Sequence, residues 1–245
     1  MSNVAHDLFN CRRRIAQKRC ACDRASVASA NAHAPNYKAV YAWRMRELDA
    51  LRNDPELLAS AKVYYSTRPV EFIQHWMDTY NPRKKSMRWM PFVFFKRQEE
   101  FIRFVHELRA DNENGLVEKC RDAGVTWLMC AYSVWTWLFV ENDAIGWGSR
   151  KQMLVDTLGD PSSIFEKMRL IIDRMPDVWL PAGFDRTKHA TREKIINPES
   201  GAVITGESGD NIGRGGRTSM FVVDEAAFIE RPERVEASLG DNTNV

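Results

Sequence analysis

An uncharged run of 18 residues, Ala123–Val140, constrains the fold of this chain more than any other feature. A run of this length reaches the lower limit for a membrane-spanning helix. It also contains polar side chains, begins beside a glycine, and is flanked by Asp122 and Glu141. These features favour a helix buried against a sheet, and the sequence therefore predicts no membrane partner.

Length and charge set broad limits on the architecture. The 245 residues can form one large α/β domain with a helical extension, and 35 Lys and Arg nearly balance 33 Asp and Glu. Two basic stretches, residues 11–24 and 83–97, can face nucleic acid, although such stripes on helices are more often solvated. The N-terminus lacks the apolar stretch of a secretory leader, which predicts a reduced, cytosolic protein whose five cysteines do not form a zinc motif.

The order of elements indicates the fold class. Residues 5–53 are predicted to be mostly helical, with a break at Asn53-Asp54-Pro55, and a second helix is predicted from about Pro69 to Asp78. "PFVFFKRQEEFIRFVHELRA" predicts a short apolar entry and then a helix that buries Phe101, Ile102, Val105 and Leu108. After Gly115 the predicted elements alternate: a strand in "GLVEKC", a helix, a strand in "AIGWGS", helices over 150–158 and 161–175, a hairpin turning at Pro198–Gly201, and a buried strand over Met220–Val223. This alternation predicts a mostly parallel sheet covered by helices.

The segment "KCRDAGVT" partly matches a phosphate-binding loop, G-x-x-x-x-G-K-[ST]. Gly124 occupies the second glycine position and Thr126 the hydroxyl position, but Val125 stands where the lysine belongs. Because such a loop curls around its anion, Lys119 at the front can supply the missing charge, and Arg121 can add another. The alternative interpretation is an ordinary strand, glycine turn and helix with a nearby lysine.

Two further features accompany this loop. "MFVVDE" places Asp224 and Glu225 at the end of a strand, where Asp224 would bind magnesium together with Thr126 and Glu225 would activate water. Two acids that cap the next helix are the alternative. Gln98 precedes the loop by some twenty residues, and its amide can pair with adenine, although an ordinary surface glutamine would look the same.

Together these motifs resemble the ATPase domain of the large terminase subunit, the DNA-packaging motor of tailed bacteriophages. The resemblance covers roughly residues 65–245 and includes "MPFVFFKRQEEFI", "EKCRDAGVTW" as a Walker A variant with a displaced lysine, and "MFVVDEAAFIERPERVEASLGDNTNV" as Walker B with its continuation. It implies a P-loop NTPase of the ASCE type, with a mostly parallel sheet flanked by helices and an N-terminal helical extension over residues 1–64.

The resemblance also implies roles for individual residues. Adenine would contact Gln98, and the phosphates would contact a loop made of Lys119, Cys120, Arg121, Asp122, Ala123, Gly124, Val125 and Thr126. Magnesium would bind Thr126 and Asp224, and Glu225 would be the catalytic base. Lys119 and Arg121 would also support catalysis, as would Arg214 or Arg217 in the glycine-rich loop before the Walker B strand.

The implied ligands and partners follow from the same family. They are ATP and Mg²⁺, double-stranded DNA, the portal protein, the small terminase subunit and further copies of the chain assembled on the portal, in the cytoplasm of an infected bacterium. The family's nuclease domain is not expected in this sequence, and its coupling motif would be expected just beyond residue 245. Two alternatives stay open: another P-loop nucleic-acid ATPase such as a helicase, and a binding or scaffolding protein with an inactive nucleotide site.

Overall fold

The computed structural model describes residues 35–120 and 123–243, which form two compact units. The first unit runs to Asp111 and also includes Arg174–Trp179, and the second contains Asn112–Asp173 and the residues from Leu180 onward. The basic stretch at residues 11–24, with its three cysteines, lies outside the described residues. The boundary predicted between residues 64 and 65 stays a prediction. Within the described ranges, no helix is long and apolar enough to cross a membrane.

The first unit is mainly helical. It contains α1 (Tyr37–Asn53), α2 (Pro55–Tyr65), α3 (Pro69–Trp76), α4 (Lys96–Asp111) and an antiparallel ribbon of β1 (Asp78–Tyr80) and β2 (Trp89–Pro91). The predicted break between the first two helices is confirmed. The Asp54 carboxylate accepts a hydrogen bond from the Leu57 amide (3.0 Å), and Pro55 occupies the first helical position, where no amide donor is needed.

Aromatic side chains form the core of the first unit. The Trp179 ring lies 5.4 Å from the Tyr65 ring, 5.3 Å from Phe72 and 5.2 Å from Trp76, measured between centroids. All four side chains are buried, so their large apolar surfaces contribute strongly to stability.

The second unit contains the remaining elements. They are α5 (Val125–Phe139), β3 (Ala144–Ser149), α6 (Gln152–Val155), α7 (Ile164–Asp173), α8 (Arg186–His189), β4 (Ala190–Thr191), β5 (Lys194–Ile196), β6 (Val203–Ser208), β7 (Met220–Val223) and α9 (Pro232–Thr243). Every residue of α5 from Leu128 to Trp137 is buried, which confirms the buried helix predicted from the uncharged run. The indole of Trp147 on β3 donates to the Ser133 hydroxyl on α5 (3.0 Å), so helix and sheet are joined by a buried hydrogen bond as well as by packing.

The five strands form one mixed sheet in the order β4-β5-β6-β3-β7. β3 pairs in parallel with β6 and β7, whereas β4, β5 and β6 pair antiparallel. The α/β class is therefore confirmed, but the prediction of a mostly parallel sheet is wrong. The reason is the hairpin at Pro198–Gly201, which was itself correctly predicted, because so short a connection joins antiparallel strands.

The strand predicted in "GLVEKC" is also wrong. The described residues 113–120 have no secondary structure, and the Leu116 side chain is 84% exposed. Leu116 and Val117 are adjacent, so in a strand they would point to opposite faces, and the residues after them are charged. Neither face of such a strand would be apolar enough to be buried. β7 has the predicted bounds, but at the end of the described sheet it is half-buried, not buried.

Candidate functional site

The carboxyl ends of β3, β6 and β7 lie at one edge of the sheet and carry charged residues. Arg150 follows β3, Glu207 lies near the end of β6, and Asp224 and Glu225 follow β7. The Asp224 amide donates to the Gly148 carbonyl oxygen (2.9 Å), so the acidic pair begins where the pairing of β7 with β3 ends. Ligands of α/β proteins bind at this edge of the sheet.

The structure brings the predicted hydroxyl and the first acid together. The Thr126 hydroxyl donates to the Asp224 carboxylate at 3.0 Å, although the two residues are 98 positions apart in the sequence. Gly124, immediately before α5, has a φ of 77°, in the left-handed region that favours glycine. This conformation turns the chain so that Thr126 lies in the first helical turn, whose backbone amides can bind an anion.

The other residues of the predicted phosphate loop differ in how far they are exposed. Ala123 and Val125 are half-buried, Lys119 and Cys120 are exposed, and Arg121 and Asp122 lie outside the described residues. The roles of these residues as phosphate ligands therefore stay predictions.

Glu225 pairs with a cation that the sequence analysis did not identify. Its carboxylate lies 3.6 Å from the Arg150 side chain, and the Arg150 guanidinium also lies over the Phe228 ring, 5.5 Å from its centroid. Glu225 has a φ of 57°, which costs a non-glycine residue about 1 kcal/mol. Arg150 directly follows "AIGWGS". The sequence pattern that could have identified it is a charged residue at the end of a predicted strand.

A buried lysine was also missed. Lys167 on α7 is 7% exposed, and its ammonium donates to the carbonyl oxygens of Ser162 and Ser163, the latter at 3.3 Å. Burial lowers the pKa of Lys167, while Cys130, Asp224, Asp160 and Glu225 act in the opposite direction. The signal in the sequence was a lysine on an apolar helical stripe, since the neighbouring positions on that face are Ile164, Met168 and Ile171.

The glycine-rich loop that carries Arg214 and Arg217 is held by Glu207. The Glu207 carboxylate accepts hydrogen bonds from the amides of Gly213 (2.6 Å), Gly215 (2.8 Å) and Arg214 (3.3 Å). A Cβ atom on Gly215 would lie 2.2 Å from a Glu207 oxygen, so a larger residue there would force the Glu207 side chain to shift and would disturb this contact. The side chains of Arg214 and Arg217 are exposed, and their predicted catalytic role stays a prediction.

Gln98 lies in the first unit, at the beginning of α4. Its side-chain oxygen accepts a hydrogen bond from the Phe95 amide at 3.1 Å, as in a capping box that satisfies an unpaired donor at a helix start. This contact explains the glutamine locally, and its predicted role in adenine binding stays a prediction.

No family model matches the sequence, and no curated protein is significantly similar to it. Site geometry and the motifs that carry the resemblance are therefore the basis for the function proposed below.

Proposed function

We propose that this chain is the ATP-hydrolysing motor domain of a viral large terminase, built on a P-loop fold of the ASCE type, which drives double-stranded DNA into a procapsid. The observation that carries the proposal is the 3.0 Å hydrogen bond between Thr126 and Asp224. These are the two side chains that the Walker A and Walker B motifs assign to magnesium, and they meet beside a helix N-terminus at the carboxyl edge of parallel strands.

The donor set at this point suits magnesium. Mg²⁺ takes oxygen ligands and is commonly held by one or two protein groups together with substrate phosphates, and Thr126 and Asp224 offer a hydroxyl and a carboxylate. When bound, the ion would neutralise charge on the phosphates. The first amides of α5 would hold phosphate oxygens, and Glu225 would accept the proton of the attacking water. Arg150 would position Glu225 through the ion pair.

DNA, the portal protein, the small terminase subunit and neighbouring copies of the chain are partners under the same proposal. Exposed basic residues in the first unit, Arg83, Lys85, Arg88, Lys96 and Arg97, are candidates for phosphate contacts with DNA. Binding through such contacts should weaken steeply as salt rises and should show little sequence preference.

The test is magnesium-dependent ATP hydrolysis with and without linear duplex DNA. Glu225→Gln should lower turnover by about 10²- to 10⁴-fold and leave ATP binding intact, because it removes the proton acceptor but no phosphate ligand. The matched control is Glu141→Gln, an exposed glutamate in the turn before β3, at the opposite end of that strand. Equal turnover by wild type and Glu225→Gln would refute the role of Glu225. A wild-type chain that binds no ATP would instead favour a binding or scaffolding protein.

A further inference from the structure

Lys167 occupies a position that is unfavourable for a cation without an anionic partner. It lies in the first turn of α7, where the helix dipole disfavours positive charge, and it is buried, which removes hydration. Its hydrogen-bond acceptors, the carbonyl oxygens of Ser162 and Ser163, are neutral and do not cancel the charge. Asp224, Asp160 and Glu225 offset part of this unfavourable environment through their charges, but among the described residues the hydrogen bonds of the ammonium go only to the two carbonyl oxygens.

The packing of α7 against α5 connects Lys167 with the candidate site. Cys130 lies one helical turn after Thr126, on the same side of α5. The Cys130 sulfur lies 3.7 Å from the carbonyl oxygen of Ile164, the first residue of α7. Burial raises the pKa of Cys130 to about 12, Lys167 lowers it and Asp224 raises it. The lysine and the Walker B acid therefore act on the same buried thiol.

Given the proposed function, on which this inference rests, we propose that Lys167 is the cation that binds the outer phosphates of the nucleoside triphosphate. Val125 leaves the usual lysine position of the loop without a charge, and Lys119, the substitute suggested by the motif, is exposed in a segment with no secondary structure. Lys167 is instead buried on a regular helix. On binding, its ammonium would exchange carbonyl acceptors for phosphate oxygens, which form stronger charge-assisted hydrogen bonds.

The experiment compares nucleotide affinities of the full chain and its variants in the presence of magnesium. A non-hydrolysable ATP analogue and AMP, which lacks the outer phosphates, would each displace a fluorescent nucleotide. Lys167→Met should weaken binding of the analogue by about 10- to 100-fold, as expected for one lost charge-assisted hydrogen bond, and change AMP binding by less than about twofold. Lys119→Met tests the substitute suggested by the motif, and the exposed Lys194→Met on β5 is the control.

A second variant covers the case in which Lys167→Met does not fold. Lys167→Gln keeps a donor for the carbonyl oxygens but has no charge, and it should show the same selective loss, while Lys167→Arg should recover part of the affinity. Wild-type-like binding of the analogue by a folded Lys167→Met or Lys167→Gln variant would overturn the inference and leave the proposed function standing. A wild-type chain that binds neither nucleotide would overturn both.

Discussion

Arg169 offers the sharpest test of what stabilises the second unit. Its side chain is fully buried on α7, where it donates to Glu166 (2.8 Å), to both carboxylate oxygens of Asp156 (2.9 Å for one), and to the Thr191 carbonyl oxygen (3.2 Å). Asp156 also accepts from the Glu193 amide at 2.6 Å. The Arg169 guanidinium thus connects three parts of the second unit: helix α7, Asp156 directly after α6, and the β4–β5 hairpin.

The substitution Arg169→Met keeps most of the side-chain volume but leaves the Asp156 carboxylate buried without its cation. Breaking a buried ion pair on one side costs about 3–5 kcal/mol. For a chain of this size, each kcal/mol lowers the melting temperature by about 2–4 °C, which gives a decrease of roughly 6–20 °C. The double variant Arg169→Met/Asp156→Asn should lose less than the single variant, because only Glu166, and no longer Asp156 as well, then stays buried without its cation.

The assay is urea unfolding followed by tryptophan fluorescence, with thermal unfolding by circular dichroism. Arg186→Met is the matched control, because Arg186 pairs with Asp173 at 2.8 Å but both side chains are more than one third exposed. An exposed pair of this kind contributes about 0–1 kcal/mol. Equal destabilisation by Arg169→Met and Arg186→Met would refute the reasoning, since burial would then make no difference to the value of the pair.

Three further predictions address other parts of the molecule. Burial and the charge of Arg44 lower the pKa of His75 to about 3. As the pH is lowered from 6.5 to 4, the unfolded chain therefore takes up a proton that the folded chain does not. The free energy of unfolding should then decrease by up to about 1.4 kcal/mol for each pH unit. His75→Asn should flatten this dependence in urea titrations, and an unchanged slope would contradict the assignment. Gly146→Ala should destabilise by about 1–3 kcal/mol, because the new Cβ would lie 2.2 Å from the Phe221 ring, whereas Gly240→Ala, with open space around it, should not. Glu207→Gln should speed tryptic cleavage after Arg214 by about tenfold because it weakens a charged contact to the loop amides, and an unchanged rate would show that the loop is held by other contacts.

Local sequence signals were sufficient for most elements of the fold. The break at Asp54-Pro55, the buried helix α5, the strand "AIGWGS" and the hairpin before β6 each depend on residues close together in the sequence, and each is confirmed. The mixed sheet was not predicted, because strand direction depends on which strands become neighbours. The hairpin by itself implies one antiparallel pair, β5 with β6, which a mostly parallel sheet does not include.

The two halves of the candidate site differ in how far the sequence reveals them. Thr126 and Asp224 carry motif signals, and the structure places them in contact. Arg150 and Lys167 belong to no motif, and their proximity to the acids depends on the packing of β3 against β7 and of α7 against α5. A charged residue directly after a strand, or within an apolar helical stripe, is the sequence pattern that identifies such positions.

A bound triphosphate would change the balance of charges at this edge of the sheet. Arg150 pairs with Glu225, and Lys167 is influenced by Asp224, Asp160 and Glu225, so both cations already interact with carboxylates. A bound triphosphate adds several negative charges, and magnesium at Asp224 would offset only part of them. If the proposed function holds, Arg150 keeps its ion pair with Glu225 and holds that carboxylate in position to accept a proton, while Lys167 contacts the phosphate. Arg150→Met should therefore reduce turnover more than ATP affinity, whereas Lys167→Met should reduce affinity first, and this contrast separates a residue that positions the base from one that binds phosphate.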